Sequence, residues 1–277
     1  MPVSFPNKKE NHTRSNNPNK PPLHESLTVQ FKGIFFDLFG TLFIYGDMKA
    51  AWADWLDVHF KLLIQKSGSA CSKETLSKHC DGIFSKGDPP HHPDLTIYER
   101  RIQTLCDALN LNPDPDTFQR ATLKSIEAWQ VYVPFDPDVI PVLQQLKRQY
   151  TLGLISNFDH APYVRKLLSD YNLSPLFDTI VISGDIEINK PDPRIFHHAL
   201  KKVDLQPDQA AYVGDSETDD IQGALNTGLY PIWINREDSQ LIKDYNSDGN
   251  VSPPPSPNIP EGTHTISKLT ELLEFLD

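Results

Sequence analysis

From Pro134 onward, short apolar runs alternate with amphipathic helical stretches, and that alternation admits few folds. A helical pattern around Asp138–Gln149 leads to TLGLIS, and one around Tyr163–Asp170 leads to FDTIVIS. PRIFHHALKKV precedes AAYVGD, and a helical stretch through Asp220–Asn226 precedes YPIWI. Strands separated by helices pair in parallel, because each crossover returns the chain to the same end of the sheet. One further buried strand, GIFF at 33–36, stands apart from the others. Between it and Pro134, from Asp47 to about Val133, the pattern is helical only. Met48, Trp52, Trp55, Leu56, Leu62 and Leu63 recur at helical spacing, followed by groups at Leu76–Phe84, Ile102–Leu109 and Phe118–Trp129. The pattern predicts an α/β parallel-sheet core whose first strand is cut off from the rest by an inserted all-α domain.

The flanks carry less pattern. Residues 1–26 are rich in Asn, Pro and Lys without periodicity and read as a disordered tail. A Pro-rich loop is expected at about 236–262, where SPPPSPNIP can hold neither helix nor strand. Beyond it, THTISKLTELLEFLD reads as a short strand and a helix with Ser267 placed to cap. The expected organisation is a tail at 1–26, core at 27–46, helical domain at 47–133 and core again at 134–277. With 26 Lys and Arg against 37 Asp and Glu, the formal charge of −11 argues against nucleic acid or an anionic membrane surface as partner. Cys71, Cys80 and Cys106 form no C-x-x-C, and no apolar run reaches the roughly 18 residues that span a bilayer. A cytoplasmic protein with reduced thiols is expected.

Four motifs fall just past strand ends, where open parallel sheets place their sites. Asp37 follows GIFF and precedes Gly40-Thr41; Ser156-Asn157 ends TLGLIS; Lys190 sits before Pro191; Asp215 follows AAYVG, with Asp219 and Asp220 close behind. Singly, each has an ordinary explanation as turn chemistry, a solvated lysine or an acidic helix start. If all four converge, Asp37 and Asp215 lie close together, and two like charges at ~4 Å repel by ~4 kcal/mol at an effective dielectric of 20. Carboxylate oxygens without His or Cys select a hard cation, Mg²⁺. Lys190 would neutralise the nucleophile and hold an anionic substrate, and Ser156 would hydrogen-bond the same anion.

In this order the motifs resemble those of the haloacid dehalogenase-like (HAD) hydrolase superfamily: D-x-x-x-T at Asp37–Thr41, Ser156, Lys190, and G-D-S-x-x-x-D at 214–220. The resemblance runs from about residue 31 to the end, apart from the Pro-rich loop, and is strongest to the subfamily with a helical cap after the first motif. It implies a Rossmann-like core and Asp37 as a nucleophile that forms a covalent aspartyl intermediate. Mg²⁺ would be held by the Asp37 carboxylate, the Phe39 carbonyl and Asp215, with Asp220 or Asp219 behind them. Thr41, Ser156, Asn157 and Lys190 would bind a small phosphorylated substrate. One departure matters. Phosphatases of the superfamily carry a second Asp two residues after the nucleophile, which protonates the leaving oxygen, and here that position is Phe39.

The reading placed first is therefore Mg²⁺-dependent phosphate-ester hydrolysis. A catalytically weakened phosphate-binding or regulatory protein comes second, and a haloacid dehalogenase or C–P hydrolase third. Against dehalogenation, Tyr45–Gly87 contains no Arg. Lys73 and Lys78 read as solvated charges, neither His91-His92 nor His197-His198 makes a shared-face metal site, and Glu99 and Asp94 read as weak alternative acids. Trp52, Trp55 and Trp129 read as cap core, although periodicity does not separate that from a pocket wall.

Overall fold

The computed structural model describes residues 31–236, 259–260 and 263–276, so the tail at 1–26 and most of the Pro-rich loop lie outside the described residues. Six strands are formed: β1 (Gly33–Phe36), β2 (Thr151–Ser156), β3 (Thr179–Ile182), β4 (Ala210–Gly214), β5 (Tyr230–Ile234) and β6 (His264–Ile266). They make one sheet in the order β3-β2-β1-β4-β5-β6, and every pairing is parallel. The chain steps outward from β1 through β2 to β3, then crosses back to β4 on the other side of β1. That reversal makes a crevice beside β1, open at the carboxyl ends of the strands. All four residues of β1 are buried, as a central strand covered on both faces requires. Phe36 is level with Leu154 on β2 and Val213 on β4, so Asp37 leaves the sheet beside Gly214.

Between β1 and Pro134 lie four α-helices, α1 (Met48–His59), α2 (Lys73–Cys80), α3 (Ile97–Ala108) and α4 (Pro115–Gln130), with a π-helical stretch at Phe60–Gln65 after α1. Each begins on a side chain that accepts a free N–H of its first turn: Asp47, Ser72, Thr96 and Asp114. Glu99 completes a capping box with Thr96. The apolar faces of these helices bury one another in a cluster of their own that includes Trp55, Leu63, Leu76, Tyr98, Ile102 and Phe118. The architecture is thus a Rossmann-like parallel sheet with an all-α cap. Around the sheet run α5 (Val139–Leu146), α6 (Ala161–Asp170), the short α7 (Ser183–Ile186), α8 (Pro193–Lys202), α9 (Gly223–Thr227) and α10 (Glu271–Leu276). Ser267 does not cap α10. Its N–H and hydroxyl both donate to the Glu271 carboxylate, at 2.8 Å each, because the helix starts only at Glu271. Among the described residues no helix is long and apolar enough to cross a membrane.

Two kinds of contact fix the cap on the core. The outgoing and returning chain segments are zipped together, Ile44 N–H to Pro134 O at 2.8 Å and Gly46 N–H to Tyr132 O at 2.6 Å. From α3, buried Arg100 reaches Glu187 at 2.7 Å and buried Arg101 reaches Asp159 at 2.7 Å. Glu187 adopts a left-handed conformation (φ 52°) at the end of α7, a strained backbone for a residue with a side chain.

His59, at the end of α1, is fully buried against Trp55 with neither ring nitrogen hydrogen-bonded. Burial pushes its pKa from 6.5 down to about 3. Below 6.5 the unfolded chain takes up a proton that the folded chain refuses, so stability falls with pH down to about 3. We expect this ring alone to remove about 2 kcal/mol of stability at pH 5. Urea unfolding of wild type and His59→Leu at pH 7 and pH 5 checks it. The variant should be the more stable of the two, and its advantage should widen by about that amount at the lower pH.

Candidate active site

Asp37 is the first residue past β1, and its N–H donates to Val213 O at 2.9 Å, so the ladder carries its carboxyl to the edge of the sheet. Lys190 reaches the same point from the loop that precedes α8. Its ammonium donates to Asp37 Oδ1 at 2.5 Å, to Asp220 Oδ1 at 2.7 Å and to the Tyr212 hydroxyl at 2.9 Å. All four of these side chains are buried. The lysine is held from behind by Asn157, which accepts from Lys190 N–H at 2.8 Å and donates to Lys190 O at 3.0 Å. Both ends of the Asn157 amide are therefore occupied with aiming Lys190.

The acidic residues arrive on the other side. Asp215 follows β4, and its carboxylate lies over Gly40, where φ is +98° and an added Cβ would come within 2.2 Å of Asp215 Oδ2. Gly40 is therefore required twice, for the left-handed turn and for the approach. Asp220 is bound at both oxygens, Oδ1 by Lys190 and Tyr212 and Oδ2 by Ser216 N–H at 2.9 Å. Gly214 leaves room for it, since a Cβ there would meet the Asp220 carboxyl carbon at 2.3 Å. Asp37, Asp215 and Asp220 each offer an oxygen, all within 4.8 Å of one another. The donor set is all carboxylate, which suits Mg²⁺. Asp219 is half-buried, 3.4 Å from Asn157 Nδ2.

The charges explain one another. Burial pushes the Asp37 carboxyl up, against the pull of Lys190. Burial likewise raises Asp215, with Asp37 and Asp220 adding to the effect. For Lys190, burial works against the charge, but Asp220 and Asp37 outweigh it and hold the ammonium protonated. Beside this group, the hydroxyls of Ser156 and Thr41 are buried without a hydrogen-bond partner. Buried polar groups are rarely left so. Ser156 lies at the end of β2, the strand beside Asp37's own, where a bound anion would satisfy it.

The sequence motifs thus meet at one sheet edge, and two participants carried no signal. Tyr212 sits inside β4, in a run that reads as plain buried strand. Tyr45, half-buried in the linker to the cap, has its phenol pKa raised by burial and by Asp215 and Asp37. The Phe39 ring packs in an aromatic cluster, 5.0 Å from Phe158 and 5.1 Å from Trp129. The side groups fall elsewhere. Glu99 is engaged in its capping box, Lys73 pairs with Asp57 and Lys78 with Glu74, while His91 lies 3.2 Å from Glu187 and His197-His198 are exposed.

Comparison with known proteins agrees with this geometry. The family model of haloacid dehalogenase-like hydrolases matches residues 31–228. The chain is 30% identical over 180 residues to a glyceraldehyde 3-phosphate phosphatase of Methanopyrus kandleri, covering 64% of this chain and 73% of the relative. It is 34% identical over 106 residues to the N-acylneuraminate-9-phosphatase of Rattus norvegicus, a match covering 38% of this chain and 42% of that protein. The crystal structure of a HAD phosphatase from Thermococcus onnurineus shares the fold, with a TM-score of 0.59 and 24% identity over 89% of this chain and 98% of that one. With the family model spanning the strand that carries Asp37, the helical cap and the strand that precedes Asp215, this chain belongs to the haloacid dehalogenase-like hydrolase family.

Proposed function

We propose that this protein is a Mg²⁺-dependent phosphatase that hydrolyses a small phosphate monoester through an aspartyl-phosphate on Asp37. The observation that carries the reading is the Lys190 ammonium bridging Asp37 and Asp220, with Asp215 beside them and the unpartnered Ser156 hydroxyl on the adjoining strand end. Such a site offers one face to a cation and the other to phosphoryl oxygens. The phosphatases among its relatives support the same substrate chemistry.

In this account Lys190 and Ser156 bind the phosphoryl oxygens, and Asp37 attacks phosphorus while the ester oxygen departs. Water then hydrolyses the acyl phosphate, releasing inorganic phosphate and restoring the carboxylate. Asp37 and Asp215 would hold Mg²⁺ with the Phe39 carbonyl, and the ion would screen the charge gathered between nucleophile and phosphate. Asp220 positions Lys190, and Tyr212 braces both. The Phe39 ring neither gives a proton to the leaving oxygen nor takes one from the attacking water. That same ring is the observation favouring the second reading, a phosphate-binding protein of weakened activity. Dehalogenation is less well supported, because Arg101, the arginine that reaches the cavity under the cap, is already paired with Asp159 and Asp88.

Asp37→Asn should keep the fold and leave less than about one per cent of wild-type turnover, since an amide oxygen is a poor nucleophile. Phosphate release from a panel of esters, with and without Mg²⁺, measures it. Tight phosphate binding without turnover would favour the second reading.

Millimolar Mg²⁺ should raise the melting temperature by several degrees, as a ligand bound only by the folded state does. Asp215→Asn, which removes one of three crowded carboxylates, should start no lower than wild type and lose most of that shift. An unchanged wild-type melting temperature at tens of millimolar Mg²⁺ would count against the metal assignment.

With Phe39 where an acid would stand, the rate across a graded series of aryl phosphates should fall steeply as leaving-group pKa rises. A flat free-energy plot would show that another group already protonates the leaving oxygen. Phe39→Asp is the weaker test, because loss of the ring's packing costs about 3–5 kcal/mol.

A further inference from the structure

Above the carboxylates, between cap and core, lies a cavity of about 500 Å³. That is the volume of a site for a drug-sized molecule, far more than a two- or three-carbon phosphate would fill. Its walls are aromatic: Trp52 and Trp55 from α1, Phe84, Tyr98 from α3, Trp129 from α4 and Phe158 from the loop after β2. Trp52 and Trp55 are stacked in parallel, 4.8 Å apart at 6°, and Phe84 lies against Tyr98 at 5.6 Å and 27°. At the core end the lining turns polar, through Asn157, Asn189 and Asp219. Asn157 is bonded to the main chain of Lys190 and lies 3.4 Å from Asp219, so the polar end of the cavity adjoins the Lys190 segment.

The charge in the wall is as informative as its rings. Arg101 is the one cation among the lining residues. Its Nε donates to Asp159 at 2.7 Å and its two terminal nitrogens to Asp88 at 2.7 Å and to the carbonyls of Ile83 and Lys86 at 3.0 Å. Two carboxylates already neutralise it. Asp219, also in the lining, adds a further carboxylate. A second anionic group on a ligand would be desolvated here without a partner.

Resting on the phosphatase reading above, we propose that the cavity selects phosphate monoesters whose body is uncharged and carries a flat aromatic ring, and rejects esters with a second anionic group. The ring lies among the cap aromatics while the phosphate reaches Lys190, Ser156 and Asp37. Phe39 suits this arrangement, because its ring packs against two of the wall residues, Trp129 and Phe158, where the usual aspartate would put another carboxyl.

The test holds the leaving group constant and varies the body. Propyl, 3-cyclohexylpropyl and 3-phenylpropyl phosphates are compared with the 3-carboxypropyl ester, with kcat/KM as the readout in Mg²⁺. The phenyl ester should exceed the propyl ester by more than about tenfold from apolar burial and the cyclohexyl ester by about two- to tenfold from ring contacts. The carboxylate should be the poorest by at least about tenfold. Trp52→Leu and Phe84→Leu, at sites that are half-buried and exposed, should each reduce the phenyl-over-cyclohexyl ratio. Turnover of all four esters with no advantage for the ring, or with the carboxylate preferred, overturns the proposal and leaves the phosphatase reading standing. If no alkyl ester turns over, the aryl series above decides the phosphatase reading, because an alkoxide is a poor leaving group without an acid, and binding to Asp37→Asn followed by tryptophan fluorescence decides the cavity's preference. Tighter binding of the phenyl ester than the propyl ester by about tenfold upholds it, and equal or absent binding overturns it.

Discussion

A lysine ammonium buried between two carboxylates is the constraint around which the rest of the molecule is arranged. Removing three charges from water costs several kcal/mol per ion, and the attraction among them offsets that only when the geometry is good and the remaining hydrogen-bonding capacity is satisfied. Lys190 uses all three of its protons, on Asp37, Asp220 and Tyr212. Each partner comes from a different part of the chain: Asp37 from β1, Tyr212 from β4, Asp220 from the turn that follows β4. The parallel sheet holds them in common register, and the reversal of strand order beside β1 opens the space in which they meet. Asn157 fixes the lysine's main chain, so the ammonium is aimed before any ligand arrives.

Two further features crowd the same place. Asp215 adds a third carboxylate, and burial together with Asp37 and Asp220 raises its pKa. The Ser156 and Thr41 hydroxyls are buried without a hydrogen-bond partner. A cation beside Asp37 and Asp215 together with a bound phosphoryl group would complete both sets at once. The cap is built on a different principle. Its helices bury their own apolar faces and touch the core through arginine–carboxylate pairs and the Phe39 cluster, so its inner wall can vary without disturbing the charge cluster below.

The alternation of strand and helix after Pro134 was enough to establish a parallel sheet, because residue periodicity records which faces are buried. The isolated GIFF strand and the helical stretch after it established the insertion for the same reason. Asp37, Ser156 and Asp215 were legible because each stands at the end of a buried strand, and Lys190 only because it completes the set in order, since α7 separates it from β3. Other features left no local trace. Tyr212 is indistinguishable in sequence from a core residue of β4, and nothing local to Asn157 announces that its amide binds both main-chain groups of Lys190. Ser267 has the right residue type for a cap, yet the helix begins four residues later.

What the sequence determined by itself was the order of elements and the chemistry available at the strand ends, since both depend on neighbours along the chain. What only the tertiary structure decided was which side chains face one another across long separations. Trp52, Trp55 and Trp129 have the spacing of cap core, and only the seating of the cap on the sheet turns them into the wall of a cavity. Arg101 lines that cavity, and only its contacts with Asp159 and Asp88 show that its charge is already paired. Phe39 reads as a missing acid, while in space its ring joins core to cap through Trp129 and Phe158. Periodicity reports burial, but burial alone does not say against what, because the partner lies far away along the chain.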